Sequence, residues 1–246
     1  MKKIIILNKK EGETPLEALD NFRLKNPNYK DVKMTYAGRL DPMASGLLLV
    51  LAGEETKNKE KYLSLDKEYN FEVLFGFATD TYDILGKVIS SKRDFVGEKK
   101  IIKSNLKTFL GESTQPYPIY SSKTVAGKQL FAYARAGEKV EIPSRRILIK
   151  SLKLEKIKEI NNKKLFHRIE KRIKKVKGDF RQKEILNIWK DNLFYLNKEK
   201  FTIASFKIKC SSGTYVRGIA NSLGLRMKIP ALAFSIKRTK LGKYVL

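Results

Sequence analysis

The chain has one cysteine, Cys210, and one histidine, His167, among its 246 residues. A single cysteine excludes an internal disulfide, so the protein is no disulfide scaffold and suits a reducing compartment. Zinc sites built from several cysteines or histidines are excluded as well. Any Cys–His or Ser–His–Asp centre would have to use His167, which lies in the most basic stretch of the chain. These shortages remove several classes of nucleophilic and metal chemistry.

Long apolar runs are also missing. The first eight residues contain a four-residue apolar run, which is too short for a secretory signal. The longest apolar run, residues 47–52, is far shorter than the roughly 20 residues that a membrane-spanning helix needs. We therefore expect a soluble, cytoplasmic protein with no membrane partner.

Positive charge, by contrast, is abundant. Lys and Arg number 52 against 26 Asp and Glu, a formal net charge of +26, yet 42% of the residues are hydrophobic. That apolar content is too high for a disordered basic tail and predicts a globular protein. Its electrostatic field favours nucleic acid as partner, with an anionic membrane surface as the weaker alternative. A lysine-rich composition can also reflect genome base bias, so charge alone does not decide the partner.

Local patterns predict a mixture of strands and helices. Thr14 and Glu17 have capping-box spacing with Pro15 at the first helical position, and Leu16, Leu19 and Phe22 fall on one helical face. Strands are predicted over residues 3–8 (buried), 47–51 (central), 67–77, 145–155 and 206–210, and helices over 15–25, 56–65, 100–110, 128–135 and 213–223. Because the strands come in runs, we predict an α+β fold with a mixed, mostly antiparallel sheet flanked by helices and loops.

Residues 153–200 form the most basic part of the chain. They hold 16 Lys and Arg against 7 Asp and Glu, and Leu165, Ile169, Ile173 and Val176 follow helical spacing. This pattern predicts one or two surface helices with a basic outer face. Two interpretations stay open: the basic face contacts RNA, or it is a solvated lysine-rich surface.

Three short clusters could carry chemistry. Residues 36–46 (Tyr-Ala-Gly-Arg-Leu-Asp-Pro-Met-Ala-Ser-Gly) surround one aspartate, Asp41, with two glycines and a proline. Residues 79–83 (Thr-Asp-Thr-Tyr-Asp) form a second turn-like cluster. Residues 212–217 (Ser-Gly-Thr-Tyr-Val-Arg) lie at a strand-to-helix junction, where backbone N–H groups can meet an anion. Asp41 is either a turn residue that caps its neighbours or a positioned nucleophile or base.

Taken together and in order, these clusters resemble the bacterial tRNA pseudouridine-55 synthase (TruB-type) family. The similarity runs from Leu7 to Gly242. The matching blocks are residues 38–48, 67–69 (Lys-Glu-Tyr), 76 with 79–83 and 86, 118–121 with 127–137, 210–217, and Arg238-Thr239. The resemblance implies the family's pseudouridine-synthase fold and isomerisation of the uridine at standard tRNA position 55, in the T-loop.

The resemblance also implies the site residues. Asp41 matches the catalytic aspartate, Arg217 its cationic partner and Tyr69 the ring that stacks on the everted base. Asp83 and Tyr215 match the polar shell around them. Further substrate contacts are implied for Tyr36, Arg39, Lys123, Lys128 and Arg135. A bound base would desolvate the aspartate and raise its pKa, so a cation beside it is needed to keep it ionised.

The implied reaction breaks the N-glycosidic bond, turns the base and rejoins it through carbon. Bonds are exchanged without net redox change, so no cofactor and no metal is implied. Two routes stay open: attack by Asp41 on the sugar or base, or elimination to a glycal. The target nucleotide must first leave its stack, which costs a few kcal/mol.

The chain departs from the family pattern in several places. Tyr36 stands where most bacterial members have a histidine, Arg39 gives a local sequence reminiscent of the ribosomal-RNA branch, and Lys123 is one place early. We expect one catalytic domain over 1–246, with a thumb at about 124–146 and a basic insertion at about 155–199. We expect no C-terminal PUA-type RNA-binding domain, because the chain stops soon after Arg238-Thr239.

The expected enzyme is a tRNA pseudouridine synthase that acts as a monomer on the T-arm, with no protein partner implied. Two alternatives stay open. One is the same chemistry on ribosomal RNA, suggested by the Arg39-Leu40-Asp41 sequence. The other is a non-catalytic protein that binds or folds RNA, which the charge alone allows.

Overall fold

A computed structural model describes residues 1–92, 98–195 and 200–246 of the chain. The strands are β1 Ile4–Lys9, β2 Met34–Ala37, β3 Ala44–Ala52, β4 Lys67–Phe75, β5 Phe77–Thr79, β6 Val88–Ser91, β7 Gly111–Pro116, β8 Thr124–Val125, β9 Lys128–Gln129, β10 Ser144–Asn161, β11 Lys200–Cys210, β12 Ala231–Leu241 and β13 Tyr244–Val245. The helices are α1 Pro15–Lys25, α2 Lys59–Leu63, α3 Lys99–Leu106, α4 Leu130–Ala136, α5 Asn162–Ile173, α6 Gln182–Tyr195 and α7 Val216–Arg226. Short 3-10 helices cover Pro27–Tyr29, Gly53–Asn58 and Lys107–Phe109.

One mixed sheet organises the molecule. Its strand order is β1-β3-β12-β4-β11-β10-β7, with β2 added beside β3 and β13 beside β12. All these pairs are antiparallel except β3 and β12, which run parallel over three residues. The predicted α+β class with a mostly antiparallel sheet is therefore confirmed. Each helix in the described residues is too short or too polar to span a bilayer.

Helices cover the sheet in three places. On one face, α3 and α7 pack against strands β4, β10, β11 and β12, around Phe71 and Phe206, whose rings stack at 5.2 Å. The opposite face is covered at one end by α5 and α6. Helix α1 covers β1 and β3. The central strands thus have residues buried on both faces, which is why β3 is an almost continuous apolar run.

Local signals placed the first helix correctly but misjudged its face. The Thr14 side chain accepts from the Glu17 backbone N–H, and the Glu17 carboxylate accepts from the Thr14 N–H, so the capping box is confirmed. Leu16, predicted to pack with Leu19 and Phe22, is instead 58% exposed. Strand β1 is also less buried than predicted, because it lies at the edge of the sheet with Ile6 exposed.

Other predicted boundaries shift by a few residues. The predicted helix at 56–65 is a 3-10 helix followed by the short α2, and α7 begins at Val216 rather than Gly213. Residues 153–161 continue strand β10, so helical structure in the basic segment starts only at Asn162. Gly137 ends α4 in the left-handed conformation, φ 68°, as its position predicts.

The basic segment also supplies a hydrophobic core. Leu165, Ile169 and Ile173 of α5 and Trp189 of α6 are fully buried against the sheet. The Trp189 ring lies 5.1 Å from that of Phe77, and its indole N–H donates to the Ile84 carbonyl at 3.1 Å. These helices therefore brace the turn that carries Asp83, one residue before Ile84, while their lysines face solvent.

Replacing Trp189 with alanine should destabilise the protein by about 3–5 kcal/mol, because a fully buried ring is lost and the Ile84 carbonyl loses its donor. Urea unfolding measures the free energy of unfolding. Lys190→Ala, at the exposed neighbouring position of the same helix, is the matched control and should change it by less than about 0.5 kcal/mol. A loss below about 1 kcal/mol for Trp189→Ala would contradict the assigned packing.

Candidate active site

The loop that carries Asp41 is fixed at both ends. Gly38 and Gly46 have φ values of 85° and 103°, which disfavour residues with a Cβ. A Cβ on Gly46 would lie 2.2 Å from the backbone oxygen of Arg238, so glycine is required where β3 and β12 run parallel. The Pro42 carbonyl accepts from the Gly12 backbone N–H at 2.9 Å. Asp41 is therefore held on a loop tied to strand β12 and to the turn after β1.

Asp41 forms a two-point ion pair with Arg217. The Arg217 Nε donates to Oδ2 of Asp41 at 2.7 Å, and its Nη2 donates to Oδ1 at 3.1 Å. The guanidinium is 3% exposed, whereas the Asp41 side chain is 38% exposed. The carboxylate is thus open to an incoming ligand on one side and held by a buried cation on the other. Such paired contacts fix orientation as well as charge.

Arg217 joins three parts of the chain. Its Nη1 donates to the Thr81 carbonyl and its Nη2 to the Tyr120 carbonyl at 3.2 Å. Its Nε lies 3.7 Å from Oδ2 of Asp83. Burial disfavours the guanidinium charge, but the two carboxylates outweigh that effect and raise the pKa of Arg217. The first turn of α7 therefore presents a permanent cation to the loops at 41, 79–83 and 120.

Asp83 is the second carboxylate of this network. It accepts from the Thr81 hydroxyl at 2.8 Å and from the Leu85 backbone N–H at 2.9 Å. Burial raises the pKa of Asp83 to about 6, against the opposing charge of Arg217. Asp83 therefore titrates close to neutral pH, unlike an ordinary surface aspartate.

A cavity of about 460 Å³ opens on one side of Asp41. Tyr69 of β4 and Tyr215, just before α7, line it together with Leu40, Val216 and Ile236. Burial raises the pKa of both phenols, so they stay protonated near neutral pH. The cavity combines aromatic and aliphatic walls with many polar and charged groups, so it offers a planar base both stacking surfaces and hydrogen-bond partners.

A second cavity, of about 530 Å³, also borders Asp41. Its walls include Tyr36, Phe131 and Phe180 and the guanidinium groups of Arg135 and Arg181. The Arg135 guanidinium lies 5.7 Å from the Phe131 ring centre and 5.8 Å from that of Phe180, and it donates to the Asp179 carbonyl at 3.2 Å. Helix α4 therefore contacts the turn between α5 and α6.

The residues predicted for the site do not all meet there. Asp41, Tyr69, Tyr215 and Arg39 line the first cavity, and Asp41, Asp83, Arg217, Tyr36, Arg39 and Arg135 line the second. Lys123 and Lys128 line neither of these two cavities. Lys128 pairs with Glu138 at 2.6 Å, and the Lys123 ammonium lies 5.7 Å from the Tyr117 ring. Lys123 directly precedes β8, and Lys128 lies in β9.

Sequence reasoning missed several basic residues near the site, among them Arg181 of the second cavity. Lys67, Arg145 and Arg238 line the first cavity. Lys9, only 1% exposed, donates to the carbonyls of Lys10 and Glu13 at 3.0 and 2.5 Å, and burial lowers its pKa to about 8. In a chain with 52 basic residues, composition does not separate buried cations from surface ones. Their positions in the sequence were the available signal: Lys67 directly precedes Glu68-Tyr69, and Arg238 belongs to the family-matching block Arg238-Thr239.

No metal ligands accompany the carboxylates. Within the described ranges, no group of three or more His, Cys, Asp or Glu side chains could hold a metal ion. Asp41 and Asp83 share Arg217 as their cation instead.

Fold and site together define an α+β protein whose exposed carboxylate, held by a buried arginine, stands beside a base-sized cavity. Residues 25–180 match the family model described as TruB family pseudouridylate synthase, N terminal domain. The chain is 31% identical over 242 residues to tRNA pseudouridine synthase B of Borreliella burgdorferi (strain ZS7), covering 98% of this chain and 70% of that protein. It is 34% identical over 247 residues to tRNA pseudouridine synthase B of Ligilactobacillus salivarius (strain UCC118), covering 99% and 68%.

Solved structures share the fold. The crystal structure of a Cbf5-Nop10-Gar1 complex aligns with a TM-score of 0.57 at 18% identity, over 98% of this chain and 50% of that chain. An H/ACA RNP bound to a substrate RNA containing 2'-deoxyuridine aligns equally well, and the present chain spans 48% of that chain. This chain thus spans about half the length of those solved chains. The chain belongs to the TruB family of pseudouridylate synthases, which confirms the resemblance seen in its motifs.

Proposed function

We propose that the protein converts uridine to pseudouridine at position 55, in the T-loop of tRNA, with Asp41 as the catalytic carboxylate. The observation that carries the proposal is the Asp41–Arg217 pair, whose carboxylate is partly exposed and lines both cavities. The curated relatives named tRNA pseudouridine synthase B support tRNA as the substrate. The net charge of +26 suits a polyanionic partner.

In the proposed reaction, the everted uridine enters the first cavity and its sugar faces Asp41. The C1′–N1 bond breaks and its electron pair leaves with the base. Asp41 compensates at the sugar, either by bonding to it or by taking the proton that elimination to a glycal releases. The base then turns and C5 bonds to C1′. On the first route the Asp41–sugar bond breaks in this step, and on the glycal route Asp41 returns its proton to C2′. The C5 proton is then lost while N1 is protonated. Substrate and product are isomers, so the step needs no further reactant.

Arg217 serves this chemistry by keeping Asp41 ionised after the base has excluded water from the cavity. Without a cation, desolvation would raise the pKa of the carboxyl and favour its neutral form. We assign Tyr69 to stack on the base and Tyr215 to complete the polar wall. Asp83 limits how tightly Arg217 binds Asp41, because the two carboxylates share one guanidinium.

RNA binding must offset the cost of everting the nucleotide. We propose that the thumb, with Arg135 and Lys128, and exposed lysines of the basic insertion, such as Lys163, Lys164 and Lys171, contact phosphates. Phosphate contacts position the RNA without reading its sequence. Tyr36 and Arg39 lie at the rim of the second cavity, where the Arg39 guanidinium donates to the Ser122 hydroxyl at 2.8 Å.

The direct test uses purified protein and an unmodified tRNA transcript, without additives, followed by site-resolved pseudouridine detection. We expect one modified site, uridine 55, and no product on a matched transcript with cytidine there. Ribosomal RNA transcripts run in parallel test the alternative substrate. Product on ribosomal RNA alone would move the substrate assignment, and no product on either RNA would overturn the enzymatic proposal.

The raised pKa of Asp83 predicts a pH dependence. Because the pKa of Asp83 is about 6, this carboxyl is protonated below about pH 6. Arg217 then pairs with Asp41 alone, and the tighter pair makes the Asp41 carboxylate less reactive. The single-turnover rate should therefore rise with pH through about 6 and then level off. Asp83→Asn keeps this side chain neutral at every pH, so the variant should be slower and its rate should not rise with pH near 6. If the rate of Asp83→Asn still rises with pH near 6, the titrating group is a different residue.

A further inference from the structure

Basic side chains line one part of the first cavity, which we call its cationic end. Lys67, Arg145 and Arg238 line this end, beside the loop 212–214. Lys67 and Arg238 are 5% and 1% exposed. The Cε of Lys67 and the Nη1 of Arg238 both lie within 3.9 Å of the position that a Cβ of Gly38 would take. Three basic side chains thus line the same cavity, Lys67 and Arg238 buried and Arg145 half-buried.

These cations are held by backbone carbonyls. The Lys67 ammonium donates to the carbonyls of Leu63 and Leu65 at 2.7 and 2.6 Å. Arg238 donates to the carbonyls of Leu47 and Gly38 at 2.8 and 3.0 Å. Carbonyl dipoles orient the groups without supplying a full negative charge, and the carboxylates that line this cavity are Asp41 and the exposed Glu60. Burial, with the nearby Arg238 charge, accordingly lowers the pKa of Lys67 to about 8.

Arg145 is the member with a free donor. Its buried Nε has no hydrogen-bond partner among the described residues. Its guanidinium lies against the backbone of Gly213, where a Cβ would be 1.8 Å from Cζ, so glycine at 213 is required for this position. A buried guanidinium N–H without an acceptor costs free energy unless a ligand supplies one.

We infer that this cationic end, with Arg145 as its free donor, is the site that binds the negative charge of the uracil base while the base is detached from the sugar. The inference rests on the proposed function. When C1′–N1 breaks, the electron pair stays on the base, and the resulting anion spreads its charge over N1 and the two keto oxygens. A base whose sugar faces Asp41 extends these oxygens away from Asp41 and into the cavity that Lys67, Arg145 and Arg238 line. Donors placed where charge develops accelerate bond cleavage.

The burial of the cluster favours the base over a phosphate as its ligand. Phosphates remain on the RNA backbone outside the cavity, whereas only the everted base reaches groups as enclosed as Lys67 and Arg238. A phosphate contact would contribute to RNA affinity and to its salt dependence. A contact with the detached base would contribute to the rate of the chemical step.

The test compares neighbours on strand β10. Arg145→Met removes the free donor, and Arg146→Met removes the same charge from the exposed adjacent residue, which does not line the cavity. We expect Arg145→Met to lower the single-turnover rate on tRNA about tenfold or more at saturating enzyme, with an RNA Kd within about twofold of Arg146→Met. Arg145→Lys, which keeps the charge, should recover part of the rate. Thermal unfolding checks that the variants fold.

An unchanged rate for Arg145→Met, with wild-type enzyme active, would overturn this inference alone. A weaker Kd with a reduced salt slope and a normal rate would assign Arg145 to a phosphate instead. Equal rate losses for the Met and Lys variants, accompanied by lower thermal stability, would assign Arg145 to folding. Absence of product with wild-type enzyme would remove the proposed function and this inference together.

Discussion

Replacing Asp41 with asparagine should abolish pseudouridine formation, by about 10⁴-fold or more, while the protein still binds tRNA. Asparagine keeps the shape of the side chain and one oxygen for the Arg217 guanidinium. It lacks the negative charge and the second oxygen, so it can neither bond to the sugar nor take a proton. The exposed face of Asp41, 38% of the side chain, is where the reacting sugar must lie, so the change acts on the reaction more than on the fold.

The measurement pairs single-turnover product formation with RNA binding. Asp31→Asn is the matched control, since Asp31 is exposed, just beyond the 3-10 helix Pro27–Tyr29, and it should retain wild-type activity. A non-catalytic RNA-binding protein would show no product with either variant or with the wild type. Wild-type rates with Asp41→Asn would show that a different group performs the reaction.

Local chemistry made part of this molecule predictable. The capping box of Thr14 and Glu17 involves neighbouring residues only, so it could be read without the fold. The apolar run at 47–51 is buried on both faces of the sheet and therefore shows in composition. Leu16 was misjudged because helical periodicity identifies a face but not what covers it: Ala18 and Leu19 are the buried residues of α1.

The site likewise has a part that was predicted from the sequence and a part that was not. Asp41 and Arg217 are 176 positions apart, and only the resemblance to a known family predicted their pairing. The site residues predicted from the sequence did not include Lys67, Arg145 and Arg238, because no local pattern shows that a lysine or arginine lines a cavity. Their place in the cavity depends on strands β4, β10 and β12, whose order in the sheet is set by long-range packing. Chemistry that depends on such packing needs the structure.

The basic segment 153–200 was also predicted only in part. Its helical spacing and charge were evident in the sequence, as Leu165 and Ile169 show. The hydrogen bond from Trp189 to the Ile84 carbonyl could not be predicted from the sequence. The segment therefore has a structural role beside any RNA contact, and deletion of 155–199 would remove a hydrophobic core as well as charge. Neutralising exposed lysines such as Lys163 and Lys171 separates the two effects.

Replacing Arg217 with methionine should reduce both activity and stability. Methionine leaves Asp41 and Asp83 facing each other without a cation, and it leaves the carbonyls of Thr81 and Tyr120 without their donor. Breaking a buried pair from one side costs about 3 kcal/mol or more. The rate should fall about 10³-fold or more, because Asp41 loses both its charge partner and its orientation.

Lysine at 217 separates charge from geometry. Its single ammonium can keep Asp41 ionised but cannot make the paired contact with both oxygens while reaching two carbonyls. We expect Arg217→Lys to recover more stability than rate. Arg226→Met, on the exposed end of α7, where the guanidinium lies 4.8 Å from the Phe109 ring, is the control and should cost about 1 kcal/mol or less with a normal rate. Wild-type turnover in Arg217→Met would show that Asp41 stays ionised without this arginine, and catalysis would then have to be assigned to the exposed carboxylate alone.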